Sequence, residues 1–217
     1  MIKIIPAINA DNFEEVQQKI KLVEPFFPSN GTGWVQIDVA DGTFTKNTIW
    51  HNPNDLIDLK TSLNIEVHLM IDHVEERIDT WLLPNVQRII FHLGATQDPF
   101  FVIQKCKETG KEVGIAVGPN ESWTKAMLYA GEVDLFQVLA VDPGLPGQKT
   151  KEESFEIIKK MREFCKECII EIDGGMNKET GRRAVEAGAN IIVAANAIFS
   201  GDDIKKNIKE LNGALNR

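Results

Sequence analysis

The stretch Trp34–Phe44, "WVQIDVADGTF", decides how this chain is read. It has the β-branched content of a buried strand, yet Gln36 and Asp38 interrupt it. Side chains alternate along a strand, so Gln36, Asp38 and Ala40 share one face while Val35, Ile37 and Val39 occupy the other. One such pair reads equally well as a buried hydrogen-bonded network or as part of a site. The pattern recurs, however. Glu66, His68 and Met70 share a face of "IEVHLM", Glu171 and Asp173 share a face of "CIIEID", and His92 lies at the end of "VQRIIFHL". Buried carboxylates cost several kcal/mol unless paired or bound to metal. Three strands with the same polar parity read as one site.

Outward from that stretch, β-branched runs alternate with segments of helical period. The runs are "IKIIPAI", "WVQIDV", "IEVHLM", "VQRIIFHL", "EVGIAV", "LFQVLAV", "CIIEID" and "NIIVAA". Between them, Phe13, Val16, Ile20 and Val23 form one helical stripe, and Asp11 with Glu14 makes a capping-box pattern. Thr150 and Glu153 repeat that start signal, and a second helix is expected around "NPNDLIDLKTS". Eight βα units with strands apolar on both faces predict an α/β fold, a single (β/α)8 TIM barrel over residues 1–217. A doubly wound open sheet is the alternative. In a barrel, catalytic groups sit at the C-terminal strand ends, and the loops after strands seven and eight usually cradle phosphate. "DPGLPGQ", "DGGMN" and "AANAIFSG" follow strands six, seven and eight, which puts Gly144, Gly147, Gly174, Gly175, Ala195 and Asn196 where backbone can approach an anion.

The 217 residues carry 43% hydrophobic and 26% charged residues and a formal net charge of −8. That composition is ordinary for a globular protein, and the acidic balance supports neither nucleic-acid nor membrane-surface binding. No apolar run is long enough to span a bilayer and the N-terminus lacks a signal-peptide pattern, so the expected location is the cytoplasm. Cys106, Cys165 and Cys168 supply no disulfide framework. "CKEC" lies between a helix and a strand, away from the helix N-terminus a redox pair would want and short of ligands for zinc.

The motifs jointly resemble the ribulose-phosphate 3-epimerase family, from about Ile5 to Phe199. "PAINADNF" resembles the family's "PSILSADF", "QIDVADGTFTKN" its "HVDVMDGHFVPN", and "EVHLM" its "DVHLM". "VDPGLPGQ" resembles "VNPGFGGQ", "EIDGGMN" resembles "EVDGGIN", and "VAANAIF" resembles "VAGSAIF". The resemblance implies a ribulose-phosphate-binding barrel that interconverts D-ribulose 5-phosphate and D-xylulose 5-phosphate. Two aspartates, matching Asp38 and Asp173, exchange the C3 proton through an enediolate. It further implies a divalent metal, usually zinc, held by Asp38, His68 and Asp173. By the same resemblance Met70 is expected to cap the sugar, the substrate to be a phosphorylated ketose and the assembly to be a homo-oligomer.

Several positions depart from the family pattern. Gln36 stands at the fourth ligand position, where the family has histidine, so metal is expected to bind weakly or not at all. His51, just past this strand, replaces a family glycine and is a candidate to reach inward and supply the missing nitrogen, although a loop histidine is more often solvated. Ala10 replaces a serine, Ala40 and Leu139 replace sulfur-bearing residues, and Pro146 deletes an N–H from the loop after strand six. Asp142 adds negative charge close to the expected phosphate. Two other readings stay open on these changes: an epimerase or isomerase of a different phosphosugar, and a non-catalytic sugar-phosphate-binding protein.

Overall fold

A computed structural model describes residues 2–28, 31–144 and 147–216. Eight parallel strands close into a barrel in chain order: β1 (Lys3–Ile8), β2 (Trp34–Ala40), β3 (Asn64–Met70), β4 (Val86–His92), β5 (Glu112–Val117), β6 (Leu135–Leu139), β7 (Ile169–Asp173) and β8 (Ile191–Ala194). The helices are α1 (Phe13–Val23), α2 (Val74–Trp81), α3 (Pro99–Glu108), α4 (Trp123–Ala126), α5 (Glu153–Phe164), α6 (Lys178–Ala187), α7 (Asn196–Phe199) and α8 (Ile204–Leu215). No helix among the described residues is long and apolar enough to cross a membrane.

The alternation seen in the sequence sorts the strands' side chains into two cores. Outward residues such as Val35, Ile37, Val67 and Leu69 join the main apolar layer between sheet and helices. Inward, a smaller plug of Ile5, Ala7, Trp34, Ile90, Leu135 and Val193 shares the barrel axis with polar residues. Strand register stacks those polar residues in layers: Gln36 faces Glu66, Asp38 faces His68, and Gln137 faces Glu171.

Local start signals differ from the expected ones by a residue or more. Asn12, not Asp11, caps α1 by accepting the Glu15 N–H at 3.0 Å, and the Glu15 carboxylate returns to the Asp11 N–H. Thr150 does not cap α5. Its hydroxyl donates to the Gly174 carbonyl at 2.9 Å, and α5 begins at Glu153 without a side-chain cap. The helix expected around "NPNDLIDLKTS" is only a 3₁₀ turn over Pro53–Leu56. The Asn85 amide donates to the Leu56 and Leu59 carbonyls, taking acceptors that a continuing helix would use. Cys165 and Cys168 form a disulfide across the α5–β7 connection, contrary to the sequence expectation. The chain turns there sharply enough to bring residues three apart together, and Arg162 holds the turn by donating to the carbonyls of Cys165, Lys166 and Cys168.

At the end of the barrel away from the strand C-termini, Arg88 is the buried cation that answers two buried acids. It pairs with Glu66 and Glu112, lies 4.0 Å from Glu171, and sits over the Trp34 ring at 3.9 Å. Burial pushes the Glu66 and Glu171 carboxyls up, and Glu66 pushes Glu171 further. Removing one partner of a buried pair strands the other charge. Arg88→Met is therefore expected to destabilise the fold by about 3–5 kcal/mol in urea unfolding, and Glu66→Gln in the same chain should restore part of that loss.

Candidate active site

β2, β3 and β7 deliver Asp38, His68 and Asp173 to the C-terminal mouth, because each residue has inward parity near its strand end. His68 Nδ1 lies 3.3 Å from Asp38 Oδ1 and 3.8 Å from Asp173 Oδ2. One ligand atom from each of the three lies within 4.8 Å of the others. His68 Nδ1 is buried and meets no hydrogen-bond partner among the described residues. An orphaned imidazole nitrogen aimed between two carboxylates is what a divalent ion would satisfy, and this donor set suits zinc with an open coordination position.

Gln36 takes part differently from the expected weak ligand. Its Nε2 donates to Asp38 Oδ1 at 2.8 Å and to Asp173 Oδ2 at 2.7 Å, so its amide nitrogen faces the carboxylates. Its Oε1 is turned away and accepts from Gln137 Nε2 at 2.7 Å, and the same nitrogen donates to Glu171 Oε1 at 2.8 Å. An amide N–H cannot ligate a cation, and Gln137 fixes that orientation. Sequence reasoning missed Gln137, although it shares the inward parity of Leu139 on β6. Glu121, in the loop after β5, was also missed. Its carboxylate lies 2.8 Å from His92 Nδ1, and His92 Nε2 lies 3.0 Å from His68 Nε2. A loop residue has no periodicity to betray it.

The electrostatics of the site act on Asp173, His68 and Glu121. Burial and the neighbouring Asp38 raise Asp173 to about 7, against the opposing pull of His68 and the Gln36 N–H. Burial alone would lower His68, but Asp38 and Asp173 outweigh it and raise its affinity for a proton. Glu121 is held below the usual carboxylate range: burial opposes this, but His92 and the backbone N–H groups of Gly118 and Gly94 prevail. Around neutral pH the site therefore carries a proton near Asp173.

Above these groups opens a cavity of about 370 Å³. Asp38, His68, Met70 and Asp173 line it together with Gly144, Gly147, Gly174, Gly175, Ala195 and Asn196. Gly174 and Gly175 hold φ of 110° and 71°, and a Cβ on Gly175 would meet the Thr150 hydroxyl at 2.5 Å. Only glycine serves there.

Other expected positions fall elsewhere. Ala7, the first serine position of the "PSILSADF" pattern, lines the cavity with Asn9, while Ala10 packs in the outer core. Leu139 lines the cavity, and Ala40 packs with Met70, Ile49 and Phe44. Asp142 is ion-paired to Lys151, which compensates its charge. His51 binds the Ile49 carbonyl and borders a separate groove beside Trp81, so it does not supply the missing nitrogen. Pro146 lies outside the described residues, as does part of the 144–147 loop.

The profile described as the ribulose-phosphate 3 epimerase family matches residues 3–199. The ribulose-phosphate 3-epimerase of Bacillus subtilis (strain 168) is 32% identical over 220 residues, covering 99% of this chain and 100% of that protein. The enzyme of the same name from Methanocaldococcus jannaschii is 32% identical, covering 99% of this chain and 91% of its own. Among solved structures, 3-hexulose-6-phosphate synthase from Salmonella typhimurium superposes with a TM-score of 0.74 at 16% identity, covering 99% of this chain and 98% of its own. This last likeness concerns the fold alone.

The geometry around Gln36 makes a titration prediction. In chelator-treated protein, carbon-13 NMR of the carboxyl groups should find the Asp173 midpoint near 7. Gln36→Leu removes an N–H donor that favours the ionised form, so the midpoint should move upward. A downward move would mean that the Gln36 nitrogen does not face Asp173.

Proposed function

Because the chain belongs to the ribulose-phosphate 3-epimerase family, we propose that it interconverts D-ribulose 5-phosphate and D-xylulose 5-phosphate by proton transfer at C3. The observation that carries this reading is the pairing of Asp38 and Asp173 across His68 and Gln36, with one carboxyl tuned to hold a proton near neutrality. Inversion at a carbon needs a base on one face and an acid on the other, in opposed ionisation states. Asp38 removes the C3 proton of one epimer, and protonated Asp173 returns a proton from the far side to the enediolate. In the reverse direction the roles exchange. The Gln36 amide holds both carboxylates in place through the transfer. A divalent ion held by Asp38, His68 and Asp173 would act as a Lewis acid toward the enediolate oxygens.

The glycine-lined wall of the cavity supports binding of the substrate phosphate by backbone N–H groups of Gly174, Gly175, Ala195 and Asn196. Met70 and Leu139 offer apolar contact to the sugar. A decarboxylase reading would need the D-x-K-x-x-D pattern, with lysine where Ala40 stands.

Asp38→Asn and Asp173→Asn each remove a proton carrier and keep the side chain's size. Each should lower turnover on D-ribulose 5-phosphate by about 100- to 10,000-fold with an unchanged circular dichroism spectrum. Near-normal turnover in either variant would overturn the two-carboxylate mechanism, and an inactive wild type would overturn the substrate. Gln36→His should tighten zinc binding in calorimetric titration, because it replaces an N–H donor with an imidazole nitrogen.

A further inference from the structure

His68 offers one nitrogen to the aspartates, and its other nitrogen enters a buried chain that the reaction itself does not use. His68 Nε2 and His92 Nε2 face each other at 3.0 Å, and His92 Nδ1 lies 2.8 Å from Glu121 Oε2. Both rings are buried, and Phe44 packs on His92 with ring centroids 4.8 Å apart, which restrains the ring from swinging. The Glu121 carboxylate has little freedom either. It accepts the Gly94 N–H at 2.8 Å and the Gly118 N–H at 2.6 Å. A Cβ on Gly94 would meet Glu121 Oε1 at 2.9 Å, so the absent side chain leaves room for the carboxylate.

This chain has a direction. A carboxylate already accepting two backbone N–H bonds acts as an acceptor, so His92 Nδ1 carries the proton between them. Neutral His92 then presents a bare Nε2, and the single proton between the two rings belongs to His68 Nε2. That leaves the lone pair of neutral His68 on Nδ1, the nitrogen placed beside Asp38 and Asp173 without a hydrogen-bond partner among the described residues. We propose that Glu121 and His92 are positioning residues for metal binding: the Glu121–His92–His68 chain fixes His68 as its Nε2–H tautomer and presents Nδ1 to a divalent cation. The inference rests on the metal reading of the site given above. A carboxylate behind an imidazole also raises its basicity as a ligand, so the effect belongs to affinity before it belongs to rate.

Two measurements on the full chain test this. Long-range proton–nitrogen NMR of the zinc-free protein at alkaline pH should find the His68 ring proton on Nε2. Zinc titration should show about a 10- to 100-fold loss of affinity in Glu121→Gln. His92→Phe should lose affinity similarly, while His92→Gln, whose amide oxygen can accept from His68 Nε2, should recover part of it. A His68 proton on Nδ1 in the wild type overturns the proposal, whether or not the variants fold. Zinc affinity within about twofold of wild type in both Glu121→Gln and His92→Phe overturns it as well. A wild type that takes up no zinc overturns the metal reading instead, and the NMR pattern then decides the tautomer on its own.

Discussion

Alternation along the barrel strands forces Gln36, Glu66, His68, Gln137 and Glu171 onto an axis where water cannot compensate them, with Asp38 and Asp173 above them lining the cavity at the mouth. Most of what distinguishes this molecule follows from how those groups satisfy one another. From one end, Glu112 and Glu66 hold Arg88, with Glu171 nearby. Gln137 then links Glu171 to Gln36, and Gln36 links onward to Asp38 and Asp173. The column turns a stability problem at its base into a positioning device at the mouth. Glu171 accepts from the Gln137 nitrogen, that nitrogen also donates to Gln36 Oε1, and the Gln36 nitrogen is thereby turned toward the Asp38 and Asp173 carboxylates.

That column changes the meaning of residue 36. Read as a ligand position, glutamine is a poor replacement for histidine. In its hydrogen-bonded setting it supplies two donors, which hold Asp38 and Asp173 together and favour the ionised form of Asp173. On the metal reading proposed above, a divalent ion would rest on Asp38, His68 and Asp173, and the weight would shift to His68 and the groups behind it. On that proposal the site would depend less on a fourth ligand than on the tautomer of His68.

Much of this was legible in the residues themselves. The strand runs and the shared parity of Asp38, His68 and Asp173 required only period-two reading, and all eight strands follow those runs. The glycine loops fell where a barrel binds anions. What escaped the sequence depended on contacts between distant elements. Gln137 gains its role only once β6 lies beside β7, and Glu121 reaches His92 from a loop with no pattern to read. The short turn at Pro53–Leu56 reflects Asn85 arriving from later in the chain. Ala7 rather than Ala10 faces the cavity because strand parity runs to Ile8, beyond which the chain leaves the sheet.

In the proposed chemistry two opposed carboxylates move the proton, one removing it and the other replacing it. The most direct measurement follows D-ribulose 5-phosphate in deuterium oxide at low conversion and reads deuterium at C3 in both epimers. Two-carboxylate transfer gives product deuterated at C3, since its proton arrives from a group in exchange with solvent, while recovered substrate stays largely unlabelled. Product retaining the original proton, or substrate that exchanges as fast as it epimerises, would contradict it.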